Sequence, residues 1–162
     1  MIKLTTETIV HNGITLSRIQ ATKNFGSIQE GALGGFVESL ANLAGNAWVF
    51  GNAWVFGNAK VYGNARVFGN AKVYGDAKVY GNAEVYGNAG VYGNAEVSFC
   101  VTLQGALPYP VTVVDNQITI GCQCATLEQW ESGDISPVYL GEWLQHKEVM
   151  IPLFKHIYKG NK

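Results

Sequence analysis

Charge is scarce in this chain: 14% of its 162 residues are charged and the net charge is −1. A protein so balanced has no bulk attraction to nucleic acid, although single Lys or Arg side chains can still meet a phosphate. Long apolar runs are missing too, none approaching the roughly eighteen residues that a membrane span requires. No charged-then-apolar leader opens the chain, so the expectation is a soluble, cytoplasmic protein without a membrane partner. Cysteine is rare, and its three copies, an odd number, fit a reducing compartment. Histidine is absent between Asn12 and Gln145.

What is present is a repeat. From Gly45 to Ser98 a six-residue phrase, Gly-Asn-Ala-x-Val-aromatic, is written nine times without insertion or deletion, with Ser98 in the final aromatic slot and Asp76 for Asn in one copy. Ala and Val lie two apart and point one way, while x and the aromatic point the other, which is the alternation of a strand. Gly tolerates positive φ, and Asn or Asp is the non-glycine residue most often found there, so Gly-Asn makes a corner every six residues. Small Ala fits inside the corner and Val fills the interior. Three edges close a triangular coil of eighteen residues, and the pattern predicts a left-handed parallel β-helix, a mostly β chain.

The phase extends to Gly35/Val37 and Ala41/Leu43 before the repeats and to Val101/Leu103 after them. Twelve rungs, or four coils, are counted over 33–104, a prism about 19 Å tall. Residues 1–32 contain two β-rich runs joined by His11-Asn12-Gly13, a hairpin expected to cap the first coil, because an open end exposes unpaired backbone and apolar interior. Residues 105–162 form a small α+β tail. Pro108 and Pro110 end the coils, Asp115-Asn116 turns a second hairpin, and Thr126-Leu127-Glu128-Gln129 reads as a capping box that starts a helix carrying Trp130. Val138 to Tyr158 is helical in spacing, broken by Pro152.

With Val49/Ala53, Val55/Ala59 and every later pair, the coils resemble those of hexapeptide-repeat proteins. The entry segment, Arg18-Ile19-Gln20-Ala21, Phe25-Gly26, then Gly31 to Ser39 and Asn42-Leu43, is similar to that of a group of such proteins from bacteriophages and bacteria. Members of that group are often labelled acyltransferases on repeat similarity alone. Leu40 and Ala41 depart from the more acidic pair expected there. Residues 118–122 and 126–130 also look like tails of this group. The resemblance implies a homotrimer of parallel prisms with ligand clefts between subunits.

Outside the prism, eighteen-residue stacking aligns Trp48/Arg66/Glu84, Trp54/Lys72/Gly90 and Lys60/Lys78/Glu96. Beside them run Phe50/Phe68/Tyr86, Phe56/Tyr74/Tyr92 and Tyr62/Tyr80. Aromatics on three outward faces are more apolar surface than a lone prism carries, so an oligomer is expected. The columns serve either as interface packing or as platforms for a planar ligand. Trp48 and Trp54 break a position otherwise held by Lys, Arg, Glu or Gly. An indole beside Lys60, Arg66 or Lys72, with Arg18 near the entry, would hold a base and a phosphate together.

Acyltransferases of the hexapeptide class typically use a histidine base at the subunit cleft. Here His11 lies in the hairpin, and His146 and His156 in the tail. The histidine-free coils favour a non-catalytic trimer that binds a small anionic or nucleotide-like ligand, without cofactor; in a phage setting, sequestration of a host immune nucleotide is a concrete version. The alternatives are an acyl-CoA-dependent acyltransferase with a base from the tail, and a structural or host-protein-binding module. Cys122-Gln123-Cys124 with Cys100 is a poor match to paired zinc motifs, so no metal is expected. Glu38, Asp76 and Asp115 form no carboxylate pair. The glycines are spaced for corners and not for a phosphate cradle, and the outward positions lack the Thr ladder of an ice-binding face.

Overall fold

The computed structural model describes residues 1–103, 111–121, 123–135 and 137–160. Its centre is a parallel β-solenoid of about three turns. β3 (Leu33–Val37), β5 (Trp54–Val55), β8 (Lys72–Val73) and β11 (Gly90–Val91) stack in parallel on the first face. The second holds β4 (Trp48–Val49), β7 (Arg66–Val67) and β10 (Glu84–Val85), and the third β6 (Lys60–Val61), β9 (Lys78–Val79) and β12 (Glu96–Val97). Register advances by eighteen residues at every step, as in Trp48↔Arg66↔Glu84. The alanines and valines of the repeat, from Ala47 to Val97, are all at most 2% exposed and fill the interior.

The corners explain the invariant glycine. Gly69 has φ +72°, and a Cβ built there would lie 3.0 Å from the backbone N and O of Gly87 in the next coil. Only a residue without a side chain suits both the left-handed conformation and the close stacking. The asparagines that follow run in ladders, Asn46 Nδ2 donating to Asn64 Oδ1 and Asn64 Nδ2 to Asn82 Oδ1, each at 3.2 Å. Asp76 enters such a ladder as acceptor from Asn58 Nδ2 at 3.0 Å.

β1 (Ile2–His11) and β2 (Ile14–Ala21) form the N-terminal hairpin, turned by Asn12 (φ 49°) and Gly13 (φ 80°). β2 pairs antiparallel with β3, so the hairpin prolongs the first face. Ile19 and Ala21 join the solenoid core, while Leu16 packs with Phe36 and Phe56. A 3-10 turn, Leu40–Asn42, closes the same end. The Asn42 amide donates to Gly57 O (3.0 Å) and Ala59 O (2.9 Å) and accepts from Ser39 N (2.9 Å).

The chain leaves the solenoid sooner than its phase implies. Val101 and Leu103 lie in β13 (Cys100–Leu103), which pairs antiparallel with β14 (Val111–Val114) instead of adding a parallel rung. β14 pairs with β15 (Gln117–Ile120), and β15 with β16 (Gln123–Ala125). An alternating apolar pattern suits either pairing, so periodicity alone does not separate them. The expected break at Pro108 and Pro110, and Gln104, fall outside the described residues.

The turn between β14 and β15 caps this end. Asp115 accepts from Ser98 N (2.8 Å) and Phe99 N (3.1 Å), Asn116 accepts from Glu96 N (3.0 Å), and Gln117 donates to Tyr92 O (3.0 Å). Side chains thereby take bonds that another coil would otherwise make. α1 (Leu127–Ser132) begins at the Thr126 capping box as expected, with Trp130 buried. α2 (Pro137–Gly160) runs unbroken past Pro152. Pro152 is on the exposed side, where water can meet the carbonyl that loses its N–H partner, so the break expected there does not occur.

Tyr158 on α2 donates to Val114 O at 2.7 Å. Burial, then the nearby Asp115 and Cys124, push its phenol from 10.0 up to about 12. The fold therefore favours the neutral phenol: this contribution to stability is intact below 10.0 and is lost as pH rises toward about 12. Urea midpoints measured across that window should fall for the wild type and fall less for Tyr158→Phe. Equal alkaline losses in the two proteins would show that the phenol does not carry this dependence.

Candidate functional site

Arg18, Trp54 and Lys72 share one cross-strand ladder, Arg18↔Phe36↔Trp54↔Lys72↔Gly90. Arg18 Cζ sits 4.5 Å from the centre of the Phe36 ring, and Lys72 Nζ 4.3 Å from that of Trp54. Arg18 is already engaged, donating to Gly34 O at 2.7 Å and pairing through Nε with Glu7 at 2.8 Å. The remaining expected site residues lie on the other two faces. Trp48 and Arg66 lie on the second face, where Phe25 covers Trp48 (ring centres 5.6 Å apart) and leaves it 2% exposed. Arg66 Nη2 donates to Ser27 Oγ at 3.0 Å. Lys60 lies on the third face, its ammonium on Ala41 O at 2.8 Å. Within one chain the six residues thus occupy three faces and form no single site. Both indoles are met by the chain's own groups, Trp54 by Lys72 and by His11 at 5.0 Å.

Lys72 borders a groove of about 490 Å³ where the first face passes beneath the C-terminal sheet. Tyr74, Tyr92, Asn70, Asn88 and Gly90 line it from the solenoid; Thr112, Thr119 and Gly121 line it from β14, β15 and the turn that follows. Its size lies within the range of small-molecule pockets, roughly 300–1,000 Å³. Gly90 opens it: every other x position of the nine repeats holds a large side chain, from Trp48 to Glu96. Phe56, Tyr74 and Tyr92 stack face to face at 5.0 and 5.1 Å. Where these rings face one another, they offer edges to a ligand rather than open faces.

Thr112 and Thr119 are paired in register across β14 and β15 and are 2% and 5% exposed. Burial raises the Tyr74 phenol, and the Cys124 thiol adds to the effect. Burial also pushes Cys124 up, against a hydrogen bond from Thr119 that pulls it down. Among the described lining residues Lys72 is the one charged group, and the Cys124 thiol lies behind Thr119, which hydrogen-bonds it. Such a surface can hold an anion and hydrogen-bond a polar ring.

Sequence reasoning missed the tail's share of this site, Thr112, Thr119 and Gly121. The signal within reach was Gly90, a lone glycine in a column of long side chains. His146 and His156 lie on α2, apart from the residues lining the groove. Cys122, part of the rejected metal motif, falls outside the described residues. Cys100 and Cys124 are not joined in a disulfide, and the described residues hold no cluster of three or more metal-binding side chains. No helix among them is long and apolar enough to cross a membrane. No protein-family model matches the chain, and no curated protein matches it either.

Proposed function

We propose that this protein is a non-catalytic binder of a small anionic or nucleotide-like ligand, held in the groove between the first solenoid face and the C-terminal sheet. The observation that carries this reading is the meeting of one cation, Lys72, with buried Thr112 and Thr119 at the gap left by Gly90. Histidine-free coils support binding over acyl transfer. The wider reading is a left-handed, hexapeptide-type coil, trimeric through the outward columns Tyr62/Tyr80 and Phe50/Phe68/Tyr86, cytoplasmic in a bacterial host. In a phage setting it would sequester a host immune nucleotide. The stacking of Tyr62 on Tyr80 (5.5 Å), with Tyr62 37% exposed, supports an apolar contact on the third face.

Native mass spectrometry tests stoichiometry and ligand together, with the protein as purified and after mixing with cyclic nucleotides, ADP-ribose derivatives and acetyl-CoA. The expected result is a trimer with up to one nucleotide-mass adduct per chain. The adducts should be lost in Gly90→Glu. That variant is chosen because a Cβ at Gly90 would meet nothing closer than the Tyr92 ring at 3.6 Å, and Glu84 and Glu96 occupy the same repeat position. Folding should therefore persist while the groove is filled. Binding of acetyl-CoA with turnover, or nucleotide binding unchanged in Gly90→Glu, would overturn the reading.

A further inference from the structure

Resting on that reading, we infer that the groove recognises the polar edge of a nucleobase-like ring, with charged phosphates left outside it. Charge comes first. A phosphate chain needs several cations or convergent N–H donors, and Lys72 is the one cation among the described lining residues. Arg66 and Lys60 project from the other two faces, and Arg18 is bound to Glu7 and Gly34.

Hydroxyl chemistry follows. Thr112 and Thr119 stand directly across from each other on neighbouring strands, and both are buried. The Thr119 hydroxyl gives its one proton to the Cys124 sulfur and has its oxygen left to accept, while Thr112 can donate. Such a pair complements a ring amide whose N–H meets Thr119 and whose C=O meets Thr112. Shape agrees: Gly90 and Gly121 both line the groove without a side chain, which leaves room for a flat group. Tyrosine edges, positive at their rims, favour a ring lying against them in the T-shaped sense. Lys72 supplies one contact, to a carbonyl or a single negative charge.

The test is calorimetric titration of the full chain with four ribonucleosides, their monophosphates, and ribose 5-phosphate, which carries the phosphate and sugar without a base. At least one nucleoside is expected to bind within about tenfold of its monophosphate, a gap set by one charge-assisted contact. Ribose 5-phosphate should not bind. Thr119→Val should weaken the nucleoside about five- to tenfold, the loss expected when one hydrogen-bonding group is removed. Lys72→Gln should narrow the gap between nucleoside and monophosphate. Binding of ribose 5-phosphate with no binding of nucleosides would overturn base recognition while leaving an anion-binding groove intact. Binding by none of these probes or the nucleotides tested above, with Gly90→Glu indistinguishable from wild type, would overturn the groove reading itself.

Discussion

Gly35→Ala is expected to destabilise the protein by about 3 kcal/mol or more, the upper end of what overpacking a filled core costs. A Cβ built on Gly35 lies 2.5 Å from Ala53 O and 2.6 Å from Val49 Cγ1. Neither neighbour can yield easily. Ala53 O is the acceptor for Phe36 N at 2.9 Å, the bond that ties β3 to the next coil, and Val49 is completely buried. Relief would require β3 to move away, loosening the hairpin that pairs with its other edge. Gly90→Ala is the matched control, because its Cβ meets only the Tyr92 ring, at an ordinary 3.6 Å. Urea unfolding of the two variants should separate them widely. A Gly35→Ala protein within about 0.5 kcal/mol of wild type, the usual size of a neutral surface change, would mean that the first coil is not packed as described.

The second large effect is expected at Asn42. Its amide replaces a stretch of strand at the top of the third face, donating to two backbone carbonyls and accepting from Ser39 N. It is 2% exposed, so water cannot readily substitute. Asn42→Ala leaves those groups without their partner, at a cost of about 2–4 kcal/mol for a network of this size. Asn42→Asp should be no better, since a carboxylate has no N–H to give and turns negative charge toward Gly57 O and Ala59 O. Hydrogen exchange gives the local readout: amides of 40–61 should lose protection before those of the later coils. Uniform loss along the whole solenoid, or no loss, would contradict a capping role.

These two sites show which parts of the molecule were legible in the sequence. The repeat carries its own geometry: corner glycines at φ +56° to +73°, interior Ala and Val, and an eighteen-residue register follow from chemistry within a few residues. The Asn12-Gly13 turn and the Thr126 capping box are local in the same sense and appear as expected. The capping action of Asn42 and the burial of Trp48 depend on segments folding back from elsewhere. Phe25 covers Trp48 from a loop outside the repeat. No periodicity reports that contact, and a tryptophan in an outward slot reads as exposed until the loop is placed. The end of the solenoid at β13 was hidden because pairing direction is chosen by the partner strand. The groove was only half visible, Lys72 and Gly90 from the repeat pattern and Thr112 and Thr119 from a sheet whose docking is long-range.

The ends also bear on the proposed groove. Asp115, Asn116 and Gln117 fasten the C-terminal sheet to the last coil, and the same hairpin carries Thr112 and Thr119 over Lys72. One set of contacts thus caps the solenoid and builds the groove, so weakening the cap should reduce affinity as well as stability.

Amide chemical-shift mapping locates the ligand directly, with isotope-labelled protein titrated by whichever nucleotide gives adducts in the mass spectrometer. The largest shifts should cluster at Lys72, Gly90, Tyr92, Thr112, Thr119 and Gly121 and vanish in Gly90→Glu. Shifts centred on Tyr62 and Tyr80, or on Trp48 and Arg66, would place the ligand on another face and contradict it.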